Sequence, residues 1–232
     1  MALYDRDYAN ENLQTGEVGV QSKSALSIFI KKTYQLFAAS LLAGSAGAYV
    51  GLDFAYQLNQ FGLWMLVPLF AFLIALHFAK KVNGLNYLLL FAFTFTSGLT
   101  IAPLIFAYIS MGAGQIVVNA FVLTTVAFGG LSVFAMNTKR NFSTWGKALF
   151  IILIVAIAAL FLNYFFVEST IFSLVISSVC AVLFSAYILY DTQNIIKGAY
   201  ETPIEGAIAL YLDFLNLFIH LLNILGIFNS ND

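Results

Sequence analysis

Seven times along this chain an apolar run of about twenty residues is closed by polar or Gly/Pro punctuation, and that recurrence constrains the fold more than any other feature. The runs cover residues 33–51, 61–79, 85–109, 115–136, 148–167, 171–196 and 204–228. A hydrocarbon core about 30 Å thick is crossed by roughly 20 helical residues rising about 1.5 Å each, so every run is long enough to span it. The gaps between runs are short, which favours antiparallel neighbours in one bundle. The fold class expected is therefore an all-α membrane protein, a seven-transmembrane-helix bundle. Composition points the same way: 61% of residues are hydrophobic and 9% charged, with mean hydropathy +0.91. Soluble domains carry about 25% charged residues, and none could hide this much apolar surface. The lipid bilayer is thus the first partner. The net charge of −1 offers no clustered cationic excess for nucleic acid.

No linker-like stretch divides the chain, so the expected organisation is a polar tail over residues 1–32 and one transmembrane domain over 33–232. The tail contains four acids and four bases and lacks the short basic start and apolar core of a cleavable signal. It is expected to be retained and loosely ordered. Direction follows from the cations, because Lys and Arg near span ends stay on the cytoplasmic side. Arg6, Lys23, Lys31 and Lys32 precede the first run, Lys80 and Lys81 follow the second, Lys139, Arg140 and Lys147 lie between the fourth and fifth, and Lys197 follows the sixth. If seven spans alternate, all of these fall on one face. The other face carries Asp53, Glu168 and Asp232. The N-terminus is therefore expected in the cytoplasm and the C-terminus across the membrane. An even number of spans would scatter the cations, so the same bookkeeping tests the count.

Helices in lipid associate through close packing and interhelical hydrogen bonds, so small residues at helical spacing mark contact faces. The first run offers Ser40, Gly44, Gly47 and Gly51, and the fourth offers Gly129 and Gly130. The third has Thr96, Ser97, Gly98 and Thr100 before Pro103, which reads as a packing face with a proline kink or as the lining of a cavity. The single cysteine, Cys180, sits in an apolar run and reads as a small buried hydrophobe.

Two carboxylates stand where lipid should exclude them. An acid at the centre of a span costs about 2.5 to 3.5 kcal/mol even on the lenient insertion scale, so its presence there is a functional hypothesis. Asp213 lies in the seventh run, about 13 Å from its start by helical rise. Asp213, Asn216, His220 and Asn223 follow at i, i+3, i+7 and i+10, one polar stripe that cannot face lipid. The last helix is accordingly expected to face the bundle core. Asp191 lies about 9 Å above the end of the sixth run if that helix stops at Lys197 and Gly198. The two acids thus reach similar depth from consecutive, oppositely directed helices. If they meet, they cannot both ionise cheaply, and the pair is expected to hold one proton near neutrality. Ionised, it would suit a hard cation such as calcium, which takes carboxylate oxygens. The plainer alternative is that Asp191 snorkels to the interface while Asp213 is hydrogen-bonded by a Thr or Tyr. His220 reads as an ordinary hydrogen-bonded histidine or as a second titrating group in the stripe. His77, beside Lys80 and Lys81, reads as interfacial, or as reaching Asp191 from the cytoplasmic end.

At these residues the chain resembles the Bax inhibitor-1 family, also called the transmembrane Bax inhibitor motif family, and its bacterial branch most. The carrying segments are residues 187–193 (Tyr-Ile-Leu-Tyr-Asp-Thr-Gln) and 209–218 (Ala-Leu-Tyr-Leu-Asp-Phe-Leu-Asn-Leu-Phe), supported by 128–132 (Phe-Gly-Gly-Leu-Ser). The likeness covers nearly the whole chain. It implies seven helices with the last one central, surrounded by the other six, and a pH-sensitive calcium leak controlled by the pair that matches Asp191 and Asp213. Bacterial relatives also use a basic residue of the second helix as a latch on the first aspartate. This chain has no arginine there, only His77, Lys80 and Lys81 near the end of the span, and Asn223 stands where some relatives carry a basic residue.

The leading expectation is a proton-gated cation leak in a bacterial inner membrane, with calcium as the permeant ion and no cofactor. A second expectation, also implied by the family, is a non-channel protein that binds and modulates an FtsH-type membrane protease. An enzyme is not expected. The aspartates are similar in number to those of presenilin-like proteases, but Asp213 lies in Tyr-Leu-Asp-Phe and lacks their Gly-x-Gly-Asp context. No serine, cysteine or metal constellation supports another reaction.

Overall fold

The structure, a computed structural model, describes residues 4–229, with side chains from Lys23 onward. Its elements are α1 (Tyr4–Asp53), α2 (Ala55–Phe61), a single 3-10 turn (Gly62–Met65), α3 (Leu66–Ala79), α4 (Leu85–Ser110), α5 (Gly114–Asn137), α6 (Gly146–Leu162), a π turn (Asn163–Val167), α7 (Thr170–Ile196) and α8 (Pro203–Asn229). No strand occurs among the described residues. Seven helical segments are long and apolar enough to cross a membrane, the second made of α2, the turn and α3, and the fifth of α6 and the π turn. The seven segments agree with the seven runs, with two shifted starts. The second begins at Ala55, not 61, because Gln57, Asn59 and Gln60 sit on a helix that packs against α4. The helix of the first does not begin at 33 but runs unbroken through Lys31 and Lys32, because Phe29 and Ile30 pack against the core and no proline interrupts it. The polar segment therefore continues the first span as helix from Tyr4, where loose order had been expected. Residues 1–3 and Asp232 lie outside the described residues.

Alternation of the seven segments puts the α3–α4, α5–α6 and α7–α8 connections, with the start of the first span, at one end. Every Lys and Arg from Lys23 onward is in that set, so this is the cation-bearing end.

The tightest seam joins α1 to α4, and glycine makes it. A methyl added at Gly47 would run into the Phe95 carbonyl, and one at Gly98 into the Gly44 carbonyl, so the two backbones touch. At Gly51 the added carbon would lie 2.5 Å from Ala102 Cβ. These residues behave as small-residue packing predicts. Gly129 and Gly130 do not. Both face open space on α5, with nothing within 4 Å of an added Cβ, so that part of the expected packing face is corrected. Pro103 lies within an uninterrupted α4, and Thr100 and Pro103 line a cavity of about 350 Å³ with Asn59 and Gly62 at the cation-free end.

The last helix is the most buried of the seven. Within the stretch that would cross the membrane, 44% of its residues are buried, against 6% for the second and the fifth segments. It packs on α7, α1, α5 and α4, while α3 leans on α4, and α6 on α7. Four helices thus hold α8 closely. The second and fifth segments face it across cavities, with at most marginal backbone contact.

Candidate functional site

The turn after α7 is built first, because it decides what can reach Asp191. Gly198 adopts φ +66, a left-handed conformation that costs glycine nothing. Its amide donates to the Ile195 carbonyl at 3.0 Å, and the Ala199 amide donates to Asn194 at 2.9 Å, the paired bonds of a Schellman end. The chain then folds back beneath α7, and the Tyr200 hydroxyl donates to Asp191 Oδ1 at 2.7 Å. Burial, followed by the negative charge of Asp191, holds the Tyr200 phenol well above its ordinary range, so it remains a proton donor.

Helix α8 starts two residues later at a capping box. Pro203 takes the first helical position, where its missing N–H costs nothing. The Thr202 amide donates to Glu205 Oε2 at 3.0 Å, and the Glu205 amide donates to Thr202 Oγ1 at 3.4 Å. That reciprocal bond leaves Glu205 Oε1 to accept from Lys80 Nζ at 2.7 Å. Lys80 also reaches Glu201 at 3.0 Å, and Lys81 reaches it at 3.1 Å. The lysines after α3 therefore do clasp the α7–α8 turn, but on glutamates; the residue that holds Asp191 is Tyr200. Glu205 and Glu201 keep the Lys80 ammonium above its ordinary range, and the two lysines keep Glu201 below the usual carboxylate range. His77 does not reach Asp191. It is exposed, packs edge-on against Phe78 and lines a cavity of about 330 Å³ with Lys80 and Tyr200.

From this turn the two helices rise side by side. Asp191 and Asp213 are 5% and 4% exposed, and their carboxyl groups are in hydrogen-bonding contact, with the Asn194 side chain also on Asp191. The expectation that consecutive helices bring the two acids together is met in the geometry, and Asp191 does not snorkel. Two ionised carboxylates in contact inside a low-dielectric bundle repel strongly, whereas a proton between them turns the contact into a hydrogen bond. Asp213 Oδ2 is buried and receives no donated hydrogen bond.

Both acids line a cavity of about 410 Å³ between α6 and α8, together with Asn216 and His220. Three members of the predicted stripe therefore share one space, while Asn223 lies beyond it. Asn216 donates its amide to the Leu212 carbonyl at 2.7 Å, which leaves its oxygen for the cavity. His220 stacks on Phe184 at 5.9 Å, and its buried Nδ1 has no hydrogen-bond partner, contrary to the ordinary bonded role expected. Cys180 is buried and free, as read. Among the described residues no three His, Cys, Asp or Glu side chains cluster as a metal site. Calcium takes six to eight oxygens, more than the two carboxyl groups offer by themselves.

One hub was not foreseen. Gln193, 2% exposed, accepts from the Phe142 amide at 2.6 Å and donates to the Arg140 carbonyl at 2.7 Å, tying the α5–α6 loop to the end of α7. Its position two residues after Asp191 was the only sequence signal. The capping box was not foreseen either, although Thr-Pro-Ile-Glu at 202–205 carries its signature.

The model of the family described as inhibitor of apoptosis-promoting Bax1 matches residues 26–230. An uncharacterized protein of Campylobacter jejuni is 58% identical over 99% of this chain and 100% of its own length. An uncharacterized membrane protein of Vibrio cholerae is 36% identical over 88% of this chain and 91% of its own. Protein lifeguard 4 of mouse is 33% identical over 87% of this chain and 86% of its own. Seven apolar helices and these relatives together make the chain an integral, multi-pass membrane protein.

Proposed function

The chain belongs to the Bax inhibitor-1 family, and from that premise we propose that it is a proton-gated cation leak whose gate is the contact between Asp191 and Asp213. The observation that carries the proposal is a carboxyl pair from consecutive helices, buried and in contact, at the floor of a cavity between α6 and α8. With one proton on the pair the acids hold each other, and α7 and α8 stay closed at the cation-bearing end. With both ionised, like-charge repulsion separates them and opens a path lined by oxygens that suits calcium. Tyr200, which donates to Asp191, supports the charged carboxylate and so sets how readily the pair gives up its proton. The proposed orientation puts the cation-bearing end in the cytoplasm, by the positive-inside rule, and the C-terminus in the periplasm of a bacterial inner membrane.

Calcium uptake into proteoliposomes tests this reading. Asp213→Asn removes one ionisable partner, so repulsion no longer opens the gate, and uptake is expected to lose its pH dependence. Uptake and pH dependence both unchanged in Asp213→Asn would overturn the proposal.

A further inference from the structure

Helices α3 and α6 each lean on one neighbour and not on each other, so a cleft between them exposes one face of α8 to the membrane. Ala209 and Leu212 line both the cavity under α3 and the cavity beside α6, so the groove under α3 adjoins the groove beside α6. Its α6 wall is Leu153, Ala156, Ile157 and Leu160. Ile157 and Leu160 are 41% and 40% exposed, so the wall runs out to the lipid-facing surface. A hydrophobic chain can therefore enter sideways from the bilayer.

The floor of the same groove is polar and unsatisfied. Asp213 Oδ2 is buried without a donor, and one helical turn along, Asn216 keeps its amide oxygen free of the bond its nitrogen makes. Buried polar atoms without partners are uncommon in folded proteins and call for a ligand or water. Oxygens of this kind beside a carboxyl pair accept N–H donors and favour positive charge. An ammonium at this depth is costly in lipid unless a carboxylate receives it. The cavity of about 410 Å³ falls within the range, roughly 300–1,000 Å³, in which small-molecule ligands are bound. His220 Nδ1, about 10 Å farther along by helical rise, is too far to share the same nitrogen and flanks the chain instead.

We propose that this cleft binds a membrane-borne primary amine with a single alkyl chain, its ammonium on Asp213 and Asn216 and its chain along α6. The site shares the carboxyl pair with the leak reading but requires no ion to cross the bundle.

The test uses the full-length protein in phosphatidylcholine nanodiscs and radiolabelled dodecylamine, with empty nanodiscs as the baseline. Binding above the baseline is expected to saturate and to be displaced by unlabelled dodecylamine, but not by dodecanol, which has the chain without the charge. Asp213→Asn is expected to weaken binding at least about tenfold, the loss of a charge-assisted hydrogen bond. Ile157→Trp, on the exposed rim, should obstruct the cleft with a similar loss and without touching the core. Val126→Trp, on the exposed face of α5, should leave binding unchanged. Uptake equal to empty discs, displacement by dodecanol, or saturable binding unaltered in both Asp213→Asn and Ile157→Trp would each overturn the site. Amine binding without calcium flux would sink the leak and keep the cleft, whereas flux without amine binding would do the reverse.

Discussion

The two sides of α8 are built on different principles. Towards α1, α4 and α5 it presents Tyr211, Phe214 and Phe218. Tyr211 reaches Ser97 Oγ at 2.5 Å, Phe214 meets Phe37 and Phe128 edge-on, and Phe218 does the same with Phe121. Behind that face the glycine seam of α1 and α4 leaves no room for a methyl group. Towards α3 and α6 it presents Ala209, Leu212, Asp213 and Asn216, and the neighbours stand off behind cavities. Free space does not separate the two sides, since an apolar cavity of about 370 Å³ lies against Tyr211, Phe214 and Phe218 as well. Backbone contact does: α1, α4 and α5 touch α8 and are themselves seamed by glycine, whereas α3 and α6 stand off. In that sense a rigid half carries a compliant half, and the polar stripe belongs to the second.

That contrast can be broken at its rigid side first. Gly47→Leu drives a side chain into the Phe95 backbone, which cannot give, and the loss of stability is expected at or beyond the top of the about 1–3 kcal/mol typical of overpacking. Gly129→Leu, which meets nothing, should stay within about 0.5 kcal/mol of the parent. Thermal unfolding in detergent separates the two, and equal effects would mean that the seam is not where the bundle is held.

The next largest effect is expected at the compliant side. Tyr200→Phe deletes the hydroxyl that ties Asp191 to the α7–α8 turn, a hydrogen bond of the charged class worth about 1.5–3 kcal/mol. Without that donor the charged carboxylate loses support and the pair keeps its proton to higher pH, so leak at fixed pH should fall by about tenfold or more, read as calcium uptake into vesicles. An unchanged rate would show that Tyr200 only fills space.

The smallest effect is expected at the clasp. Lys80→Gln removes ion pairs at the end of the bundle, exposed at Glu201 and partly buried at Glu205, which contribute little where solvent reaches them and are screened by salt. Its effect on leak should be smaller than that of Tyr200→Phe and should vanish at high ionic strength. The sign of its pH dependence is also determined. Lys80 is held above its ordinary range, so its contribution is complete below that range and is lost only as pH rises through the raised value. Glu201 is held below its ordinary range, so its contribution is present above that range and is lost as pH falls through the lowered value. The clasp is therefore flat between about pH 6 and about pH 8, where neither group titrates. A pH response in that window that survives Lys80→Gln belongs to the buried pair. One that disappears with Lys80 would move the switch to the surface.

Much of this was legible in the chain itself. Span length, the one-sided cations and the spacing of Asp213, Asn216 and His220 are all local or additive properties, and they located the bundle and the stripe. Asp191 and Asp213 could be matched in depth because α7 and α8 are consecutive, joined by a turn that Gly198 announces. The partners of Lys80 were not legible, since nothing local says that the end of α3 comes to rest beside Glu201 and Glu205. Tyr200 was missed for a different reason: its role depends on the Schellman turn bringing it back beneath α7, a three-dimensional consequence of one left-handed residue. Gly129 and Gly130 misled because glycine marks close packing only when a neighbour arrives, and none does.

The central claim is that Asp191 and Asp213 share a proton while the bundle is closed. Infrared difference spectroscopy of the protein in bilayers, titrated from about pH 6 to about pH 8, reads that proton as a carboxylic acid carbonyl band. One such band is expected, fading as pH rises, and in both Asp191→Asn and Asp213→Asn its frequency and its titration should shift because the partner acid is gone. A parent protein with no titrating carboxylic acid in that window, or a band that persists unchanged in both variants, would contradict it.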